Sequence, residues 1–151
     1  MRTTVVTLIA CLLLGFASNL SAATARIVKV LPQFTDLQGR VALNPSLYER
    51  DAYQALLRSS PEKRSGLQFA VQWGSRDTTR AVLRIELRGN RGKLGTKATI
   101  ESPVKYRGMF TSWTKVSLSG DAYRNFGELS AWRATLWDGD NLLAEQKSFL
   151  W

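Results

Sequence analysis

The 151-residue chain contains no histidine and one cysteine, Cys11. Without imidazole there is no Ser-His-Asp or Cys-His pair, no histidine acting as general base, and none of the usual zinc or copper ligand sets. Cys11 falls in an N-terminal leader, so the mature chain is expected to hold neither a disulfide nor a thiolate nucleophile. Acidic residues are scarce as well: 12 Asp+Glu stand against 21 Lys+Arg, a net charge of +9. Long apolar runs are missing, because Val5–Ala17 is too short to cross a bilayer comfortably and lacks a basic stop-transfer flank.

That short run instead has the grammar of a secretory signal. Met1-Arg2 is the basic n-region, Val5–Ala17 the apolar h-region, and Ser18–Ala25 supplies small residues. Ser21/Ala23 or Ala23/Ala25 fit the positions before a cleavage site. An uncleaved anchor is the alternative; Leu8-Ile9-Ala10-Cys11 also spells a lipoprotein-like box, but three leucines follow Cys11 where a polar tether belongs. Residues 1–23 are therefore read as a cleaved leader and 24–151 as one domain, periplasmic or secreted, with no transmembrane segment after cleavage. The mature chain keeps 20 basic and 12 acidic residues, about +8. For such a protein the anionic partners on offer are phospholipid head groups, lipopolysaccharide or acidic polysaccharide, and nucleic acid is not expected.

Period-two alternation marks most of this domain. Gly66–Trp73 points Leu67, Phe69, Val71 and Trp73 one way; Thr78–Arg88 does the same with Ala81, Leu83, Ile85 and Leu87. Further strands are expected at Arg26–Leu31, stopped by Pro32, at Thr96–Ser102, stopped by Pro103, and at Ser112–Leu118 with Thr114, Val116 and Leu118 inward. The chain ends in a hairpin around Asp138-Gly139-Asp140-Asn141. A three-residue loop would set Leu136 opposite Leu142 and Arg133 opposite Glu145, with Trp132 and Trp73 both in the core. Gln33–Leu43 reads as irregular, and a helix follows from Asn44/Pro45, or from a Ser46–Glu49 capping box, to Arg58. Its stripe of Tyr48, Ala52, Ala55 and Leu56 would dock on the sheet, leaving Glu49, Arg50, Gln54 and Arg58 outside. A short helical turn is expected at Asp121–Phe126. The pattern predicts an all-β, antiparallel immunoglobulin-like β-sandwich of about seven strands, with one helix inserted after the first strand. A small outer-membrane barrel ending at Trp151 is the rival, but Glu145 and Lys147 would then face lipid.

The order of strands and the closing hairpin resemble immunoglobulin and fibronectin type III domains, without the inter-sheet cysteine pair. Leu31–Arg58 and Trp132–Trp151 together resemble a family of small exported bacterial proteins. That resemblance implies no catalytic residues and no assigned activity.

Three features offer a site. Arg80, Arg84 and Arg88 line one face of a strand, suited to an extended polyanion or, as the plainer reading, to a solvated face interrupted by Glu86. Trp113 and Trp137 sit where an exposed indole could stack on a sugar ring or a peptide, or be covered by a neighbouring segment. Asp138, Asp140 and Asn141 crowd one turn, which a plain hairpin explains better than a calcium site. No carboxylates are spaced as an acid–base pair, although Glu49, Asp51 and Glu86 remain as candidates for a His- and Cys-independent enzyme. The expectation is a non-catalytic binding or scaffolding domain of the cell envelope with no cofactor and no metal. Its partner would be an anionic envelope component or another protein. Mass spectrometry of the exported protein should find a chain beginning at Thr24 or Arg26; intact Met1 on a membrane-embedded form would overturn the leader.

Overall fold

The computed structural model describes residues 25–76, 80–105 and 111–151. The leader with Cys11 lies outside them, as does Thr78 at the expected start of the third strand. Seven strands form: β1 Ala25–Asp36, β2 Arg64–Ser75, β3 Arg80–Gly89, β4 Thr96–Lys105, β5 Ser112–Ser119, β6 Leu129–Asp138 and β7 Asn141–Lys147. Helix α1, Leu47–Ser59, and a 3-10 turn at Pro61–Lys63 separate β1 from β2; helix α2, Gly120–Phe126, separates β5 from β6. All pairings are antiparallel, in a three-stranded sheet β1-β2-β5 and a four-stranded sheet β4-β3-β6-β7. The two sheets pack as a sandwich, and among the described residues their ladders do not join into a barrel.

Alternation sets the core. Leu67, Phe69, Val71 and Trp73 from β2 meet Leu83, Ile85 and Leu87 from β3, with Val116 and Leu118 from β5 and Ala134 and Leu136 from β6. Each large side chain buried this way contributes roughly 1.5–3 kcal/mol. Trp73 is 1% exposed, and its Nε1 donates to the inward Thr114 Oγ1 at 2.9 Å, so the buried indole keeps its hydrogen bond. Trp132 corrects the expectation of a second inaccessible indole. It is half-buried at the margin of the core, edge-on to Phe69 with ring centroids 6.5 Å apart.

Both prolines expected to end strands instead lie within them. Pro32 pairs with Phe69 in β1 and Pro103 with Val82 in β4, each an edge strand. A missing N–H is harmless where it would have pointed away from the neighbouring strand. Accordingly β1 continues through Asp36, into a stretch whose sequence reads as irregular. The hairpin register also differs from expectation. Gly139, at φ +55, opens a two-residue turn closed by Asp138 and Asn141, and a bulge between Leu136 and Trp137 absorbs one residue. Leu136 therefore faces Ala144 and Arg133 faces Lys147; Glu145 still reaches Arg133 diagonally at 2.9 Å.

Helix α1 uses the Ser46 cap, whose side chain accepts from Glu49 N, and is rotated relative to the expected docking. Gln54 and Leu57 are the buried positions, and Tyr48, Ala52, Ala55 and Leu56 face outward. The reason lies in β1, an edge strand with outward-facing peptide groups. The Gln54 amide satisfies both groups of Phe34, donating to its carbonyl at 2.9 Å and accepting from its N–H at 2.8 Å, and it donates to Val41 O as well. A helix lying along a sheet edge needs a polar contact there, and an apolar stripe would leave those groups unsatisfied.

Asp36 anchors the end of β1. Burial alone would raise its pKa, but donation from Arg40 N, the Tyr53 hydroxyl, the Arg40 guanidinium and Gln38 N outweighs it. The pKa falls from 3.8 to about 2. A folded-state value below the unfolded one adds stability above about pH 4, and that increment drains away as pH falls toward 2. Asp36→Asn should thus lower stability by about 1–2 kcal/mol at neutral pH, with the gap to wild type closing as the pH approaches 2. Urea midpoints across that range measure it; a gap that is constant with pH would remove the carboxylate from this role.

Candidate functional site

The outer face of the four-stranded sheet collects the charged positions. On β3 it carries Arg80, Val82, Arg84, Glu86 and Arg88; opposite them on β4 stand Lys105, Pro103, Glu101, Thr99 and Lys97. On β6 it carries Trp137, Thr135 and Arg133, and β7 adds Glu145 and Lys147. Arg80, Arg84 and Arg88 do share this face, but four residues of strand separate each from the next, about 13 Å.

Two of the three arginines are held by partners within the chain. Arg84 donates from Nε to Glu101 at 2.6 Å, and its guanidinium carbon stands 5.2 Å from the centre of the Trp137 ring. Beneath this pair Thr135 is fully buried; its hydroxyl donates to Arg84 O and accepts from Trp137 Nε1 at 2.9 Å. Arg88 lies 4.1 Å over the ring of Trp151. The tail reaches that position because Ser148 takes up both peptide groups of Trp132: its hydroxyl accepts from Trp132 N and its own N–H donates to Trp132 O. Glu86 and Glu145 both face Arg133, at 3.5 and 2.9 Å.

Arg80 differs. Among the described residues neither it nor Lys105, its direct cross-strand partner, takes part in an ion pair. The two flank a cleft of about 400 Å³ whose other walls include Val82, Pro103, Trp137 and Asp138. Like charges directly opposed on a sheet repel. The structure therefore places Arg80 and Trp137 on one cleft, with Arg84 outside its lining but over the same indole, and leaves Arg88 at the far end of β3. Trp113 stands apart on β5, half exposed on the outer face of the other sheet opposite Gln72. Lys105 escapes the sequence reading because ending β4 at Pro103 removes it from the ladder. Trp151 escapes it because nothing in the alternation shows the tail folding back.

A second cleft, about 390 Å³, lies at the opposite end between Arg64, Tyr123, Arg91, Arg124 and Glu128. Its cations are already committed. Arg64 donates to the carbonyls of Leu57 and Arg58 and to Glu128 at 2.7 Å, Arg91 donates to Arg124 O, and Arg124 pairs with Asp121. Burial raises the Tyr123 pKa, and the neighbouring Arg64 offsets part of the rise. This is a structural seam. Among the described residues no three acidic or thiol groups gather as metal ligands.

No family model, curated protein or solved structure matches this chain.

The division between held and unheld arginines is measurable. Arg84→Gln should cost about 1 kcal/mol and shift the fluorescence of Trp137, because it removes both an ion pair and a cation–π contact. Arg80→Gln should change stability by less than about 0.5 kcal/mol. Equal costs at the two positions would erase the distinction.

Proposed function

We propose that this chain is a non-catalytic binding domain of the cell envelope, exported to the periplasm or beyond, whose ligand is an acidic saccharide. The observation that carries this reading is the cleft where Arg80 and Lys105, both without an ion-pair partner among the described residues, stand opposite each other beside the indole of Trp137. Two cations neutralise a carboxylate or phosphate on a sugar, while an indole offers the flat apolar surface that a pyranose ring prefers. A lipid head group would use the cations but not the indole, so the saccharide fits better. Asp138 at the rim limits the net positive charge of the cleft.

The strand order supports the resemblance to immunoglobulin and fibronectin type III domains. In the usual lettering the sheets are A-B-E against C-F-G, with β4 beside the third strand and not the fifth. Such sandwiches serve widely as recognition modules, and that likeness is one of architecture alone.

Titration of acidic polysaccharide or lipopolysaccharide, followed through Trp137 fluorescence, tests the reading. Binding should weaken steeply with added salt, because exposed charges are screened over about 8 Å at physiological ionic strength. The double variant Arg80→Gln/Lys105→Gln should bind at least about tenfold more weakly, about 1.4 kcal/mol, with its fold intact. Arg88→Gln, which leaves the cleft unchanged, should bind nearly as wild type. Equal binding by wild type and the double variant would overturn the assignment.

A further inference from the structure

The rotation of α1 that turns Gln54 toward β1 leaves an apolar face on the outside. Tyr48, 84% exposed, shares it with Ala52, Ala55 and Leu56, and exposed Leu47 and Leu43 lie beside it. Positions 48, 52, 55 and 59 follow the alternating four- and three-residue spacing of a helix-packing seam, with two alanines at its middle where a second helix can approach closely. Next to the seam is a hollow of about 330 Å³ lined by Leu43, Ala52, Tyr53 and Leu56.

We propose that this face is a self-complementary interface through which two copies of the chain associate, their α1 helices antiparallel about a twofold axis. Charge settles both the partner and the direction. One flank of the seam carries Asp51 in the first half of the helix and Arg58 in the second half. An antiparallel twofold brings like flanks together and so sets Asp51 of each copy near Arg58 of the other, twice over, whereas a parallel pair would set the Asp51 flank against the opposite flank, which carries Glu49. Both side chains are available. Arg58 has no ion pair among the described residues, and Arg50 engages Asp51 through Oδ1 alone, leaving Oδ2 open. The same arrangement places each Leu56 over the hollow of the other copy. An anionic membrane fits this face less well, because Glu49 and Asp51 border it where an interfacial helix would carry basic residues.

Sedimentation velocity on the exported chain, from micromolar to sub-millimolar concentration, provides the test. A reversible monomer–dimer equilibrium is expected. Ala55→Arg should weaken it at least about tenfold, and Asp51→Arg or Arg58→Asp alone should each weaken it by a similar factor. The double swap Asp51→Arg/Arg58→Asp should restore it. All three positions are exposed, so unchanged circular dichroism and thermal midpoint would show that the variants fold. A monomer at every concentration, or a double swap no tighter than the single variants, would overturn the interface. So would co-sedimentation with anionic phosphatidylglycerol vesicles through this face by a chain that stays monomeric.

Discussion

The outward-facing peptide groups of Phe34 govern much of the arrangement around them. They stand on β1, which has a neighbour on one side only, and a buried unpaired amide there would cost on the order of 1–3 kcal/mol. Gln54 closes that gap from α1, and Arg64 lies 4.0 Å over the Phe34 ring, so backbone and side chain of one residue are held from two directions. Arg64 in turn accepts the role of C-terminal cap for α1 by donating to Leu57 O and Arg58 O, and through Glu128 it fastens the approach to β6. The helix, the edge strand and the far loops are thus fixed by three side chains. What the helix shows to solvent follows from what the edge demands of it.

Polar groups divide into those spent on structure and those left over. Arg64, Arg84, Arg88, Arg91, Arg124 and Arg133 each have a carboxylate, a carbonyl or an aromatic ring within the chain. Arg80 and Lys105 have neither an ion pair nor a stacked ring among the described residues, although a simple count of basic residues treats all of these alike. A guanidinium stacked on an indole and bonded to a carboxylate has already exchanged water for protein, so it has less to gain from a ligand. Net charge alone does not distinguish the cations already committed from those that are not.

The strands were legible because alternation is a property of the strand itself. Leu67, Phe69, Val71 and Trp73 point inward whatever lies opposite, and the same holds for Ala81, Leu83, Ile85 and Leu87. The helix illustrates the limit. Its apolar stripe was visible, but which side it turns inward depends on whether it meets the face of a sheet or an edge, and residues 47–59 do not carry that information. Pro32 and Pro103 mislead for a related reason: their meaning depends on whether a neighbour lies on the side of the missing N–H. The hairpin register turned on one bulge, and with it the cross-strand partner of Arg133. Of the candidate site, Arg80, Arg84 and Trp137 could be read from their positions on strands. Lys105 needed the true length of β4.

The pairing pattern also has a kinetic side. The β3–β4 and β6–β7 hairpins join neighbours across short turns, but the two central pairings, β3 with β6 and β2 with β5, join residues roughly 40–55 apart in sequence. Closing loops of that length precedes any reward from the contacts, which places a sandwich of this type among domains that fold in milliseconds to seconds. Until those pairings close, the sides of the strands are open to other chains. Pro32 and Pro103 sit on the outer strands of the two sheets, where each deletes one of the donors that an intruding strand would need. Residues that look like stop signals for their own strands act as stop signals for other chains.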